Sequence, residues 1–251
     1  MMRPELQRLL DGHDLSRGDA HALMGSIMEG KATSAQVAGV LVALRTKGET
    51  AEEIAGFAAA MRERVVAVAP TRTPVVDVVG TGGDGANTFN ISTAAAIVAA
   101  AAGAAVAKHG NRAASSQAGS ADVLEALGVE IEQPPDRIAA CVDELGFGFM
   151  FARAHHPAMS HVAPVRQELG VRTVFNVLGP LANPAGARDG VFGVYAAELA
   201  RTYAGALVEL GCRRAFVVHG DGGLDELTPF GTNLVVEVDG GEVREWELDP
   251  R

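Results

Sequence analysis

Val75–Val79 reads as an apolar run of strand length that ends directly in Gly80-Thr81-Gly82-Gly83-Asp84. Such a run is expected of a strand covered on both faces, which commits the chain to helices packed on a mostly parallel sheet. A second short run, Ala104–Ala107, ends in Lys108-His109-Gly110-Asn111-Arg112. Glycines let backbone N–H groups approach a phosphate closely, and a lysine and an arginine supply counter-charge. Two such loops delivered to one sheet edge make a site for a ligand with phosphates at both ends.

The rest of the second part of the chain keeps this rhythm. A helix is expected from about Ser92, and a second one capped by Ser120, carrying Val123, Leu124 and Leu127 and closed by Gly128. Val129–Ile131 reads as a strand, Asp136 to Gly146 as a helix and Phe147–Phe151 as a strand. Between His155 and Pro184 the pattern breaks into a helical, turn-rich excursion, expected to leave the sheet and pack beside the N-terminal helices. Gly190–Tyr195, the helix Glu198–Leu210 and the strand Ala215–His219 resume it. Leu234–Val238 and Glu242–Trp246, joined by Asp239-Gly240-Gly241, read as a hairpin.

Pro70 and Pro74 bracket a linker, and before it the apolar period is helical. Ala20, Leu23, Met24, Ile27 and Met28 share one face. Val37, Val40, Leu41 and Leu44 form the next stripe, and Ile54, Phe57, Ala58 and Met61 the one after. Thr33 with Gln36, and Thr50 with Glu53, are capping-box pairs. Residues 1–70, joined by 155–184, are therefore expected to form a small helical domain and residues 71–251 an α/β domain.

Hydrophobic residues make up 48% of the 251, enough for a sizeable core. A formal net charge of −10 argues against a general nucleic-acid or membrane-surface role, so any phosphate must be held by a local basic cluster. Cys141 and Cys212 read as free thiols. The N-terminus carries no charged-then-apolar signal pattern, and the Ala-rich run Ala94–Ala107 falls short of a membrane span. A soluble cytoplasmic protein is expected.

Gly80–Gly85 also matches G-x-G-x-x-G after a strand, so a dinucleotide fold must be weighed. Against it, the next helix starts some residues past the last glycine. The next strand also ends in Lys108-His109, where that fold wants an acid. Asn90-Ile91-Ser92-Thr93 opens a helix whose free N–H groups suit a phosphate. Asp225-Glu226-Leu227-Thr228-Pro229 follows a strand through another glycine-rich turn. Adjacent carboxylates would repel an anionic ligand unless a divalent cation lies between them, and magnesium is typically held by one or two carboxylates together with substrate phosphates. The pair thus predicts a Mg²⁺–diphosphate ligand. His155, His156 and His161 lack a nearby acid or thiol that would complete a zinc site.

These stretches resemble one family closely, anthranilate phosphoribosyltransferase of tryptophan biosynthesis. The resemblance rests on Gly80–Asp84, Asn90–Thr93, Lys108–Arg112, GSADVLEAL (Gly119–Leu127), HHPAM (His155–Met159), PVRQELGVRTVFNVLGPLANP (Pro164–Pro184) and DELTP (Asp225–Pro229), and runs over essentially the whole chain. It implies the nucleoside phosphorylase/phosphoribosyltransferase class of fold: a small helical domain with a larger α/β domain built on a mostly parallel sheet. It also implies a homodimer formed through the N-terminal helices. Gly80, Gly83, Asp84, Thr88, Asn90, Ile91, Ser92, Thr93, Lys108 and Ser120 are similar to contacts for 5-phosphoribosyl 1-diphosphate. So is the loop His109, Gly110, Asn111, Arg112, Ala113, Ala114, Ser115 and Ser116. Ser92, Asp225 and Glu226 are implied as magnesium contacts, and Gly80, Asn111 and Arg166 as anthranilate contacts. Family members continue past the hairpin, whereas this chain ends at Arg251, so a shortened sheet is expected.

The same resemblance implies transfer of the phosphoribosyl group to the anthranilate amine. A pyrimidine-nucleoside phosphorylase shares the architecture, but Asp225-Glu226 and Arg166 favour a diphosphate and a carboxylated acceptor. A non-catalytic nucleic-acid-binding relative would want a basic surface. An inactive scaffold that only dimerises is the third alternative.

Overall fold

The computed structural model describes residues 2–86, 88–113 and 118–251. Four helices open the chain: α1 (Arg3–Leu10), α2 (Arg17–Met28), α3 (Ser34–Lys47) and α4 (Ala51–Arg62). All three sequence-read stripes are buried. Both capping boxes form: Thr33 Oγ1 accepts from Gln36 N, and Thr50 Oγ1 from Glu53 N, with the reciprocal bonds in place. Glu53 does more than cap. It is fully buried and also accepts from Leu15 N and Lys47 Nζ, which ties α4 to the starts and ends of its neighbours.

The linker at Pro70–Pro74 is pinned by Asp143, which accepts from Thr71 N, Thr71 Oγ1 and Arg72 N. Beyond it come β1 (Val75–Gly80), α5 (Ile91–Ala101), β2 (Ala105–Gly110), α6 (Ser120–Ala126), α7 (Pro135–Leu145) and β3 (Phe147–Phe151). The excursion follows as short helices α8 (Ala152–His155), α9 (Ala163–Leu169) and α10 (Phe175–Leu178) with two 3₁₀ turns. Then come β4 (Asp189–Gly193), α11 (Ala197–Glu209), β5 (Arg214–His219), β6 (Asn233–Asp239) and β7 (Glu242–Leu248).

The strands form one seven-stranded sheet in the order β3-β2-β1-β4-β5-β6-β7. It is parallel from β3 to β5, with β6 and β7 antiparallel at the far edge. From β1 the chain builds outward to β3, then returns to the other side of β1 at β4. The crevice between the carboxyl ends of β1 and β4 is thus a topological switch point, where open α/β sheets bind their ligands. α5 and α6 cover one face. α7, the excursion, α4 and α11 cover the other, and the helical-bundle core is continuous with the sheet residues Phe192, Val217, Val236 and Val238.

Three readings are corrected. Val129–Ile131 is no strand: β3 is already the sheet edge, and Ile131 is instead buried as a side chain against Leu124, Phe149 and Phe151. Ser120 is the first helical residue and Gly119 the N-cap, because Asp122 bonds back to the Gly119 amide. Most consequentially, β1 is not a continuous apolar run, since Asp77 stands fully buried at its centre. Both cysteines are free. Among the described residues no helix is long and apolar enough to cross a membrane.

Candidate active site

Three glycines seat the acidic loop. A Cβ on Gly80 would collide with the Asp225 carboxylate. One on Gly193 would strike the Asp225 carbonyl, and one on Gly220 the Glu226 carbonyl. These glycines lie at the carboxyl ends of β1 and β4 and just past that of β5, so the Asp225-Glu226 segment drops into the switch-point crevice where no side chain stands against its backbone.

The two acids then take hold of the anion-binding groups. Asp225 Oδ2 accepts from Gly82 N at 2.6 Å, and Glu226 Oε1 accepts from Ser92 N at the start of α5 at 3.1 Å. The glycine-loop amide and the helix N-terminus are the donors that would otherwise meet a phosphate. Lys108 completes the group. It is buried, and its Nζ donates to Val78 O at 2.6 Å and Ser92 Oγ at 3.3 Å. Gly80, Gly82, Ser92, Lys108, Asp225 and Glu226 thus form one connected cradle.

Its electrostatics are out of balance. Burial pushes Asp225 up to about 6, with the neighbouring Asp84 carboxyl adding to the shift. Burial and the Asp225 charge push Glu226 up to about 7. Burial lowers Lys108, partly offset by Asp77 and Glu226. A cation beside these carboxylates would relieve the excess negative charge. Among the described residues there is no ready-made group of three or more His, Cys, Asp or Glu ligands. The donor set suits an oxygen-liganded ion that takes its remaining ligands from phosphates and water.

Strand alternation separates Lys108 from His109. Lys108 points to the α5 face. The buried His109 ring lies on the other face, with Nδ1 3.1 Å from Gly179 O and Nε2 3.2 Å from His156 Nε2. Burial, with His156 beside it, lowers His109 to about 3, so it carries no counter-charge. Its backbone N–H is taken by Asp77. Arg112 is also drawn off: its guanidinium is held by Asp122 at 3.0 Å and Glu125 at 2.8 Å, two acids of α6. The Ala113 amide is likewise bonded to Asp122.

The other expected contacts sit around the cradle. Thr93 Oγ1 donates to Ser120 Oγ at 3.0 Å, tying α5 to α6, and Asn90 Nδ2 donates to Ala118 O without capping α5. Ile91 is the first residue of α5, Thr88 is exposed, and Gly110 packs against Phe149 and Ser120. Asn111 Oδ1 accepts from Arg112 N. Ala114, Ser115 and Ser116 lie outside the described residues. Arg166 on α9 lies 5.3 Å over the Phe175 ring, with no ion-pair partner among the described residues, and burial lowers it. His155, His156 and His161 do not converge: His155 Nδ1 meets Val66 O, His156 meets His109, and His161 packs on Gly30.

Residues 3–65 match the helical bundle domain of a glycosyl transferase family, and residues 72–251 match its a/b domain. Anthranilate phosphoribosyltransferase of Rubrobacter xylanophilus is 56% identical over 252 residues, covering 100% of this chain and 73% of that protein. The chain belongs to the anthranilate phosphoribosyltransferase family. The crystal structure of the Thermus thermophilus member superposes with a TM-score of 0.92 at 54% identity, over 98% of this chain and 73% of that one. The Saccharomyces cerevisiae anthranilate phosphoribosyltransferase, solved in complex with PRPP and Mg, has a TM-score of 0.85 at 33% identity, over 99% of this chain and 72% of that one. The same figures hold for that enzyme in complex with 4-fluoroanthranilate.

Membership in the anthranilate phosphoribosyltransferase family makes this chain a glycosyl-transferring enzyme. Sequence reasoning passed over three of its structural determinants. Asp77 was hidden by the valines on either side of it. Its Oδ2 accepts from Asn183 Nδ2 at 2.7 Å, and Asn183 also reaches Ala107 O, so one buried carboxylate joins β1, β2 and the excursion. Arg172 and Tyr195 are the other two, and a second arginine six residues after Arg166 is the signal that the sequence offers for them.

Proposed function

We propose that the cradle binds 5-phosphoribosyl 1-diphosphate with Mg²⁺, and that the chain transfers the phosphoribosyl group to the amine of anthranilate. The carrying observation is that two carboxylates occupy the glycine-loop amide and the helix N-terminus beside a buried lysine. Carboxylate oxygens there stand in for phosphate oxygens. Asp225 and Glu226, with Ser92, would hold Mg²⁺, which supplies positive charge against the diphosphate.

As the bond from C1 to the diphosphate breaks, positive charge grows on the sugar ring and negative charge on the leaving group. Lys108, with the amides of Gly82 and Ser92 once the two acids turn to the ion, would supply fixed charge and dipoles to that departing oxygen cluster. The acceptor is an aryl amine, neutral at pH 7, so positioning against C1 matters more than prior deprotonation. Arg166, half-buried and unpaired among the described residues, is suited to the acceptor's carboxylate. The direct test is incubation with anthranilate, 5-phosphoribosyl 1-diphosphate and Mg²⁺, following loss of anthranilate fluorescence. No loss, with no binding of the diphosphate donor, would overturn the reading.

Arg166→Ala is expected to raise KM for anthranilate about 10- to 150-fold, the effect of losing a charge-assisted contact, while sparing the donor's KM. Equal losses for both substrates would count against the clamp.

A pH dependence also follows. Asp225 and Glu226 have folded-state pKa values of about 6 and about 7, above the ordinary carboxylate range. Below these values the folded protein holds protons that Mg²⁺ must displace. The rise in Tm brought by Mg²⁺ with inorganic diphosphate should therefore grow from pH 5.5 to pH 8. Without metal, these raised acids make stability fall as pH rises from about 4 to about 7. His109 and His156, lowered to about 3 and about 4, act oppositely between about pH 4 and 6.5, which is why the metal-dependent difference is the quantity to measure. A difference that is flat with pH would argue that these acids do not hold the ion.

Residues 1–70 with 155–184, and 71–251, remain the proposed domains, with the N-terminal helices as the proposed dimer contact. Exposed Leu10 and Val42 on α1 and α3 support that surface.

A further inference from the structure

The glycine loop is strapped at three points. Gly82 N donates to Asp225. Thr81 is bonded to the end of β4 twice, through Thr81 N to Gly193 O and Tyr195 N to Thr81 Oγ1. The third strap comes from the excursion. Arg172, between α9 and α10, donates from its Nη2 to the Gly83 carbonyl, while its guanidinium lies 4.4 Å over the Tyr195 ring.

The fit is specific. A Cβ on Gly83 would lie 3.4 Å from Arg172 Nε and 3.8 Å from Cζ, so the guanidinium packs in van der Waals contact against this position of the loop. Gly83 also has φ +78°, a left-handed conformation that a side chain would resist. Arg112 is neutralised by two acids of α6, whereas Arg172 has no acidic partner among the described residues. It touches the glycine loop directly. A single carbonyl bond and a ring contact on an exposed side chain do little for global stability, so the geometry has its effect on the loop.

We propose that Arg172 is a positioning residue for the diphosphate-donor subsite: from the excursion it holds the Gly83 peptide against Tyr195 and so orients the loop amides toward the phosphates. The proposal rests on reading Gly80–Asp84 as a phosphate cradle. Arg166 and Arg172, six residues apart on one excursion, then serve opposite substrates, Arg166 the acceptor and Arg172 the donor.

The test is steady-state kinetics with a calorimetric titration of 5-phosphoribosyl 1-diphosphate and Mg²⁺. Arg172→Ala should raise the donor's KM and Kd about tenfold, the factor expected for one lost hydrogen bond to a charged group. KM for anthranilate should stay within about twofold, as should kcat at saturating donor. Arg172→Lys, which keeps a cation over the ring, should recover most of the loss. Tyr195→Leu should reproduce part of it, and combining Tyr195→Leu with Arg172→Ala should add nothing, since both remove one strap. An unchanged donor Kd in Arg172→Ala with the wild-type Tm would overturn the proposal while leaving the family's reaction intact. So would a loss that Arg172→Lys does not recover, or one shared equally by both substrates. If Arg172→Ala fails to fold, Tyr195→Leu decides, an unchanged donor Kd overturning the proposal. Wild-type protein that binds no donor would overturn the cradle reading and this inference together.

Discussion

Asp225→Asn combined with Glu226→Gln should abolish Mg²⁺-dependent turnover, a fall of about a thousandfold or more, because several kcal/mol of charge stabilisation at the leaving group disappears. The same variant should melt no lower than the wild type at pH 8. Both carboxylates have raised folded-state pKa values, so their ionised forms are less at ease in the folded protein than in the unfolded chain. Asparagine and glutamine keep an oxygen to accept from Gly82 N and Ser92 N while removing the charge. Opposite signs for activity and stability are the signature of a site held under electrostatic tension for a ligand. Full activity in this variant, or a marked drop in Tm, would sink the assignment of these acids to the metal.

Asp77→Ala should destabilise the fold by about 3–5 kcal/mol, as when one partner of a buried charged network is deleted. In a chain of this size that lowers Tm by on the order of 10 °C. The cause is specific. Asp77 is fully buried, pushed up to about 6 by desolvation, and accepts from His109 N at 3.3 Å and Asn183 Nδ2 at 2.7 Å. Without it both donors are stranded between strand and excursion. Lys108, whose protonated form Asp77 supports, would also hold its proton less firmly. Asp77→Asn retains one acceptor oxygen and should cost less. Thermal denaturation measures both, and an Asp77→Ala protein melting within about 2 °C of the wild type would contradict the network.

Local chemistry carried much of the architecture. Capping pairs such as Thr50–Glu53 and the 3.6-residue stripes specify helices because their interactions lie within one or two turns. The glycine loop after β1, the cations after β2 and the Asp225-Glu226 pair were legible for the same reason, since each is a short run whose composition already states its chemistry. Val129–Ile131 misled because an apolar triplet has no period that separates a strand from a buried coil segment.

Pairings between distant residues were out of reach. Whether Arg112 faces the ligand or Asp122 and Glu125 depends on where α6 docks, and the side of the sheet that His109 faces depends on register. Local periodicity and composition specified most of the elements, their order and the inventory of acids, cations and glycines. Only the tertiary structure decided which of them meet: the acids on the amides, Arg172 on Gly83, and Asp77 beneath the cradle. The seating of the acids follows from glycines at or just past the ends of three strands, and no run of neighbouring residues encodes the distance between strands that lie over a hundred residues apart.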